Sequence, residues 1–357
     1  MSFNHILITG GCGFVGASLA VKFRQVYPQA RITCLDNLKR RGSELNLPRL
    51  QAGNIEFIHG DIRNPEDFEA VAEIDLILEC SAEPSVLAGY QSSPGYLINT
   101  NLMGTVNCLE FARRHRSTIV FLSTSRVYPF DRINALRYDE TATRFELAAA
   151  QDTAGVTERG YAEDFPLDGP RSLYGATKLA SELLILEYVS MYGLKAVINR
   201  CGVLTGPGQF GKVDQGVVVL WVAKHYWRQP LSYIGFGGEG KQVRDILHVD
   251  DLFNLLILQL QDVKKHNGQI YNVGGGRPIS LSLLELTDLC REVTGRRINI
   301  AQVPENRPAD IRIYLTDNAK VTAATGWTPQ KTPLEIITEI HDWIRAEETT
   351  LERVLKY

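Results

Sequence analysis

Along the first two hundred residues, short branched apolar runs alternate with longer stretches whose apolar positions recur at helical spacing. The short runs predict strands over 5–9, 31–36, 54–59, 76–80, 118–124 and 195–200. Between them, 15–26 and 105–114 carry the helical spacing. Strand–helix alternation of this kind makes a parallel sheet covered on both faces, because each crossover places a helix on the sheet. After Arg200 the rhythm changes. Glycine-rich loops appear over 202–211 and 235–240, then 270–275 reads as a short strand. Residues 281–294 read as a helix ended by Gly295, and 333–345 as a last helix. The polar stretch 134–171 reads as an insertion near the active site, partly structured, with a plain surface excursion as the alternative.

The first strand runs into Gly10-Gly11-Cys12-Gly13-Phe14-Val15-Gly16, which opens the first helix. Gly10, Gly13 and Gly16 stand at G-x-x-G-x-x-G spacing. Glycine there permits a tight turn and close backbone approach to a pyrophosphate, and the helix N-terminus offers unpaired N–H groups and partial positive charge. Asp36 ends the second strand at the distance where a carboxylate accepts from both ribose hydroxyls and repels a 2′-phosphate, so NAD is expected over NADP. Lys39, Arg40 and Arg41 follow closely and argue the other way. Asp61-Ile62 follows the third strand, where a carboxylate and an apolar side chain meet the adenine, and Ser81-Ala82-Glu83 follows the fourth, where the chain passes the middle of the cofactor. Asn101 is expected to hold a helix and the surroundings of the site in place. The fold expected is α/β. Residues 1–200, with 241–274 returning to them, make an NAD-binding Rossmann domain with a doubly wound parallel sheet. Residues 201–240 and 275–357 make a smaller interleaved α/β substrate domain.

Composition narrows the partners. The 357 residues carry a formal charge of −3 and no Lys/Arg stripe, so no nucleic-acid partner is expected and anionic ligands depend on a few local groups. No apolar run approaches a membrane span, and the first residues resemble no export signal, so a cytoplasmic location is expected. Cys12, Cys34, Cys80, Cys108, Cys201 and Cys290 are scattered without metal-ligand spacing, which suggests reduced thiols and no metal. His248 with Asp250-Asp251 reads as a helix start rather than as metal ligands.

Tyr174-Gly175-Ala176-Thr177-Lys178 puts a phenol and an ammonium four apart, on one helix face. The ammonium favours phenolate, and a tyrosine so tuned can take a proton from an alcohol while a hydride leaves. Alone, this spacing usually marks a solvated helix face; here it follows a dinucleotide fingerprint and a fifth strand ending in Ser123-Thr124. These motifs, together with Asp36 and Asp61, resemble the extended short-chain dehydrogenases that act on nucleotide sugars, over nearly the whole chain. The resemblance implies a retained NAD held by Gly10, Gly13, Phe14, Val15, Gly16, Asp36, Asn37, Asp61, Ile62, Ser81, Ala82, Asn101, Tyr174 and Lys178. It implies Thr124, Tyr174 and Lys178 as catalytic residues. It also implies a homodimer or homotetramer through Rossmann-domain helices, with Leu179, Leu183, Leu186 and Tyr188 as a candidate apolar face.

The 4,6-dehydratases of that family carry Thr-Asp-Glu where this chain has Thr124-Ser125-Arg126, so the acid and base for water loss are absent and epimerisation is expected. Gly240-Lys241-Gln242-Val243-Arg244-Asp245 and Arg307-Pro308-Ala309-Asp310 resemble the family's diphosphate segments. Within the family, Ile8–Phe14, Asp36-Asn37-Leu38, 59–64, 138–144, Gln209-Phe210, Asp214-Gln215-Gly216 and 240–248 resemble the branch of CDP-tyvelose (CDP-paratose) 2-epimerases. That branch has Asn-Lys where Ser125-Arg126 stands, and the residues around Cys201-Gly202-Val203 also differ. The implied substrate is a nucleotide-diphosphate sugar, CDP-linked, oxidised and re-reduced at C2, contacted by Ser85, Ser125, Arg126, Gln209, Gln215, Arg244 and Arg307. C4 epimerisation, decarboxylation or net oxidation of another nucleotide sugar stands as the first alternative, and a non-catalytic NAD-binding sensor or scaffold as the remote one.

Overall fold

A computed structural model of the chain describes residues 3–211 and 215–356. Seven strands form its main sheet: β1 (His5–Thr9), β2 (Arg31–Asp36), β3 (Glu56–His59), β4 (Leu76–Glu79), β5 (Thr118–Thr124), β6 (Lys195–Cys201) and β7 (Gln269–Val273). Their spatial order is β7-β6-β5-β4-β1-β2-β3, and the pairings among the first five are parallel. The order reverses beside β1, as in a doubly wound Rossmann sheet. β1 and β5 are buried along their whole length, which is why they read as near-continuous apolar runs.

Helix α1 (Phe14–Val26) follows β1, and α2 (Gly104–His115) precedes β5. Helix α3 (Ser172–Tyr192) precedes β6. Leu7, Leu35, Ile77, Ile119, Phe121 and Ile198 of the sheet pack with Cys108, Leu109 and Ala112 of α2 and Ile185 of α3 in one core. Burying these apolar side chains gives roughly 1.5–3 kcal/mol each before conformational entropy is counted.

The chain divides into two compact units. The first comprises residues 1–127, 172–200 and 253–271; the second comprises 128–171, 201–252 and 272–357. Residues 128–171 and 241–252 thus cluster with the second unit, whereas the strand rhythm assigns them to the Rossmann domain. For 128–171 the reason is packing. The stretch holds two short antiparallel ladders, 138–140 with 145–147 and 156–157 with 160–161. Tyr161 and Phe165 are fully buried, and the Tyr161 ring stacks on Tyr314 with centroids 4.9 Å apart. A plain surface excursion is therefore ruled out. The remaining second-unit helices include Leu283–Thr294 and Pro333–Ala346, each opened by a capping box, at Ser282 and Thr332.

All six cysteines are free thiols. No helix among the described residues is long and apolar enough to cross a membrane.

Helix α3 is fixed to the sheet by a buried ion pair. Glu182 accepts from Arg200 at the end of β6, at 2.8–3.1 Å, and from the Ser123 hydroxyl of β5. The two side chains of the ion pair are only 1 % and 4 % exposed. Removing one partner of such a pair strands a buried charge. Arg200→Ala is expected to cost about 3 kcal/mol or more in urea unfolding, while the double change Arg200→Met with Glu182→Met recovers most of the loss. A double variant as unstable as the single one would show that packing, not charge pairing, holds the helix.

Candidate active site

The loop between β1 and α1 leaves no room for side chains. Gly10 has φ +63°, a left-handed conformation that suits glycine. A Cβ there would lie 2.9 Å from the Cys80 and Ser81 backbone; one on Gly16 would lie 2.2 Å from the Gly10 carbonyl oxygen. Gly13 caps α1 without a side-chain hydrogen bond, and the first turn carries no acidic residue. The first turn, with Phe14 and Val15 at its start, therefore presents open N–H groups and positive potential. Such a cradle fits the pyrophosphate of a dinucleotide.

Asp36 lies at the end of β2, beside this loop. Its carboxylate accepts from the Cys12 N–H at 3.0 Å and from the Leu38 N–H at 2.8 Å. Burial raises its pKa, and those backbone donors oppose the rise. Asn37 donates to Asp61 at 2.8 Å, so residues from two strand ends meet. Arg63 chelates the same Asp61 carboxylate at 2.6–3.0 Å. Burial would raise the Asp61 pKa, but the Arg63 and Asn37 hydrogen bonds prevail and bring it down to about 2. Of the basic residues that argued for a 2′-phosphate, Lys39 has its ammonium 3.4 Å from the centre of the Tyr96 ring. Arg63 lies over the same ring, at 4.7 Å. Ile62 is buried in the core, and its carbonyl accepts from Asn107.

Ser81, Ala82 and Ser85 follow β4; the Ser85 hydroxyl accepts from the Leu87 N–H at 3.2 Å. Asn101 is the hub of this region. It exchanges hydrogen bonds with the Glu83 backbone at 2.8 and 3.0 Å, reaches Thr177 on α3 at 3.4 Å, and accepts from Ser181 through its carbonyl at 3.0 Å. Five residues around it form a π-turn, Asn99–Met103, just ahead of α2.

Helix α3 begins at Ser172, which has φ +69° and whose hydroxyl accepts from the Gly175 N–H at 3.3 Å. Tyr174 lies half-buried in its first turn. Lys178, one turn on, is 2 % exposed, with its ammonium 4.0 Å from the centre of the Phe121 ring on β5. Thr124 ends β5, and its hydroxyl accepts from the Arg126 N–H at 3.1 Å across the short turn Ser125–Val127. Thr124, Ser125, Arg126, Tyr174, Lys178, the glycine loop and Asp36 all belong to the first unit.

Ser85 is in the first unit as well, while Gln209, Gln215, Arg244 and Arg307 lie in the second. Arg244 donates to Asp310 at 3.0 Å and to the carbonyls of Ile311 and Val243 at 2.6 and 2.7 Å. Gln209 bonds the Leu204 carbonyl and the Thr205 hydroxyl at 2.9 and 3.0 Å. Arg307 and Gln215 are partly exposed, and Asp214 lies outside the described residues. His248 precedes the helix Val249–Gln261, whose first turn holds Asp250 and Asp251. Among the described residues no cluster of three or more His, Cys, Asp or Glu side chains is placed to hold a metal.

One residue of the site escaped sequence reasoning. Glu79 is a carboxyl at the end of the apolar strand β4, 1 % exposed, 2.6 Å from the Thr105 hydroxyl and within electrostatic reach of Lys178. Its signal was the single charge in Leu76-Ile77-Leu78-Glu79-Cys80.

The chain as a whole is similar to known proteins. Residues 6–274 match the profile of the NAD dependent epimerase/dehydratase family. The chain is 34 % identical to the CDP-paratose 2-epimerase of Salmonella typhi, over 95 % of this chain and 98 % of that one. It is 31 % identical to a dTDP-glucose 4,6-dehydratase of Streptomyces antibioticus, over 96 % and 92 %. Its fold superposes with a TM-score of 0.78 on the dTDP-glucose 4,6-dehydratase of Streptomyces venezuelae solved with NAD and TYD bound, at 26 % identity over 98 % and 99 % of the chains.

The depressed Asp61 pKa has a pH signature. A carboxylate depressed in the folded state stabilises above its unfolded pKa of about 3.9, and that contribution is lost as pH falls through the folded value. Asp61→Asn should therefore be less stable than the parent at neutral pH, with the gap closing below pH about 4 towards 2 in acid-unfolding curves. A gap that stays constant down to that pH would contradict the Arg63–Asp61 assignment.

Proposed function

The chain belongs to the NAD dependent epimerase/dehydratase family, and from that premise we propose that it epimerises a nucleotide-linked sugar, CDP-linked, at C2. The observation that carries the reading is the joint placement, in one compact unit, of the glycine cradle, Asp36, Thr124 and the Tyr174–Lys178 pair. When bound, NAD supplies the acceptor and donor for a hydride. Gly10, Gly13 and Gly16 give its pyrophosphate backbone approach, and Asp36 takes its ribose hydroxyls.

Tyr174, ionised with the help of the Lys178 charge, takes the proton of the reacting hydroxyl while Thr124 holds that oxygen. The sugar becomes a ketone, turns within the site, and receives the proton back from Tyr174 on re-reduction of its other face. Buried Lys178 keeps its field strong because little water screens it. Asn101 ties α3 to the Glu83 backbone and so sets where Tyr174 stands.

Two facts favour epimerisation over dehydration, although dehydratases are among the relatives. Ser125 and Arg126 follow Thr124 where a dehydratase needs an acid and a base. The 2-epimerase relative is 34 % identical, against 31 % for the Streptomyces antibioticus dehydratase. For the diphosphate we assign Arg244 and Arg307; Arg244 would exchange its Asp310 partner for the ligand. Ser85, Ser125, Arg126, Gln209 and Gln215 are assigned to the sugar and base. A homodimer or homotetramer is proposed through α2 and α3. Leu183 is 59 % exposed there, while Leu186 and Tyr188 pack against the core.

The test is NMR of a CDP-sugar incubated with protein whose bound dinucleotide has been identified by mass spectrometry. Recovered NAD with inversion at C2 is expected; inversion at C4, or turnover of UDP- or dTDP-sugars alone, would overturn the substrate assignment. Tyr174→Phe should lower turnover at least about 100-fold, the scale of general-base catalysis, with NAD retained. Unchanged turnover would remove the mechanism.

A further inference from the structure

Glu79 and Phe121 are register partners on the parallel strands β4 and β5, so their side chains leave the same face of the sheet. Lys178 covers that face from α3, with its ammonium over the Phe121 ring. Both ionisable groups are buried, Glu79 to 1 % and Lys178 to 2 % exposure. From α2, Thr105 meets the Glu79 carboxyl, and Cys108 is the other titratable group facing it. Oε2 of Glu79 has no hydrogen-bond partner among the described residues.

The hydrogen count around Thr105 bears on the protonation of Glu79. Its oxygen lies 2.6 Å from Glu79 Oε1 and 2.9 Å from the Asn101 carbonyl oxygen. A hydroxyl has one hydrogen, and a carbonyl can only accept. Two separate two-centre bonds at these lengths need a second hydrogen, which a protonated Glu79 supplies. The Asn101 carbonyl also accepts from Ser181 of α3. The chain of donors then runs from Glu79 through Thr105 to the carbonyl that anchors the helix carrying Tyr174 and Lys178. Burial favours the neutral form of Glu79 and prevails over the opposing effects of Lys178 and of the Thr105 contact.

We propose that Glu79 is a positioning residue that stands as a neutral acid at working pH, donates to Thr105, and does not itself compete with Tyr174 for the Lys178 charge. An ionised carboxyl in this position would share the ammonium and disfavour the phenolate. The proposal rests on the roles assigned to Tyr174 and Lys178, but its test needs no turnover.

The experiment uses the NAD-loaded protein at neutral pH. Its infrared spectrum should show a protonated carboxylic acid band that Glu79→Gln removes. The titration midpoint of Tyr174 is followed by NMR of carbon-labelled tyrosine, with its resonance identified by Tyr174→Phe. It should be the same in the parent and in Glu79→Gln, since one neutral group replaces another. In Thr105→Val the acid band should persist but move, because its acceptor is gone. Overturning results are no band lost in Glu79→Gln, an unmoved band in Thr105→Val, or a Tyr174 midpoint lower by about one unit or more in Glu79→Gln, the mark of a removed anion. Protein that shows the band yet leaves CDP-sugars unchanged would refute the substrate reading and leave this one standing.

Discussion

A helix that presents two reactive side chains is useful only if its rotation about its own axis is fixed, and buried polar contacts fix α3. Glu182 is held between Ser123 of β5 and Arg200 of β6, and Thr177 and Ser181 bond to Asn101. Those of Glu182 reach the sheet and those of Thr177 and Ser181 reach the turn ahead of α2, so together they set the direction in which Tyr174 and Lys178 point. Buried ion pairs are weak sources of net stability, because desolvation offsets most of their attraction. What they add is direction: Glu182 meets its partners only when Ser123 and Arg200 lie within hydrogen-bond reach.

The cofactor cradle rests on a different constraint, close backbone approach. The Gly10 carbonyl, the Gly16 Cα and the chain leaving β4 come so near one another that side chains are excluded. This crowding joins β1, α1 and the end of β4 in one rigid corner. Asp36 is fastened to the same corner by the Cys12 N–H, so the carboxylate and the glycine loop move together. Lys39 and Arg63 both lie over the Tyr96 ring. Lys39 thus has an aromatic partner of its own, which weakens its claim to a 2′-phosphate.

Much of this was legible in the chain because periodicity and glycine spacing are local signals. Strands β1, β2 and β5 span the residues their apolar runs mark, and Gly295 ends its helix in the left-handed conformation at φ +64°. Residues 134–171 were less legible. Their polar composition hides Tyr161 and Phe165, which pack edge to face, and the Tyr161 ring finds its stacking partner, Tyr314, more than a hundred residues away. The partner of Arg244, Asp310, was not legible either, since an ion pair between distant segments leaves no pattern in the order of residues. Glu79 shows the same limit: one acid in an apolar strand marks something unusual, but only the fold brings Lys178 and Thr105 to it.

The central claim is that Tyr174, Lys178 and Thr124 oxidise and re-reduce one carbon of a bound CDP-sugar, with the hydride kept inside the site. The most direct measurement supplies a CDP-sugar deuterated at C2 and locates the label in the product by NMR and mass spectrometry. The account predicts an inverted C2 that still bears deuterium, with none released to solvent. Inversion with the label washed out would mean proton abstraction at carbon without hydride transfer, and it would contradict the account.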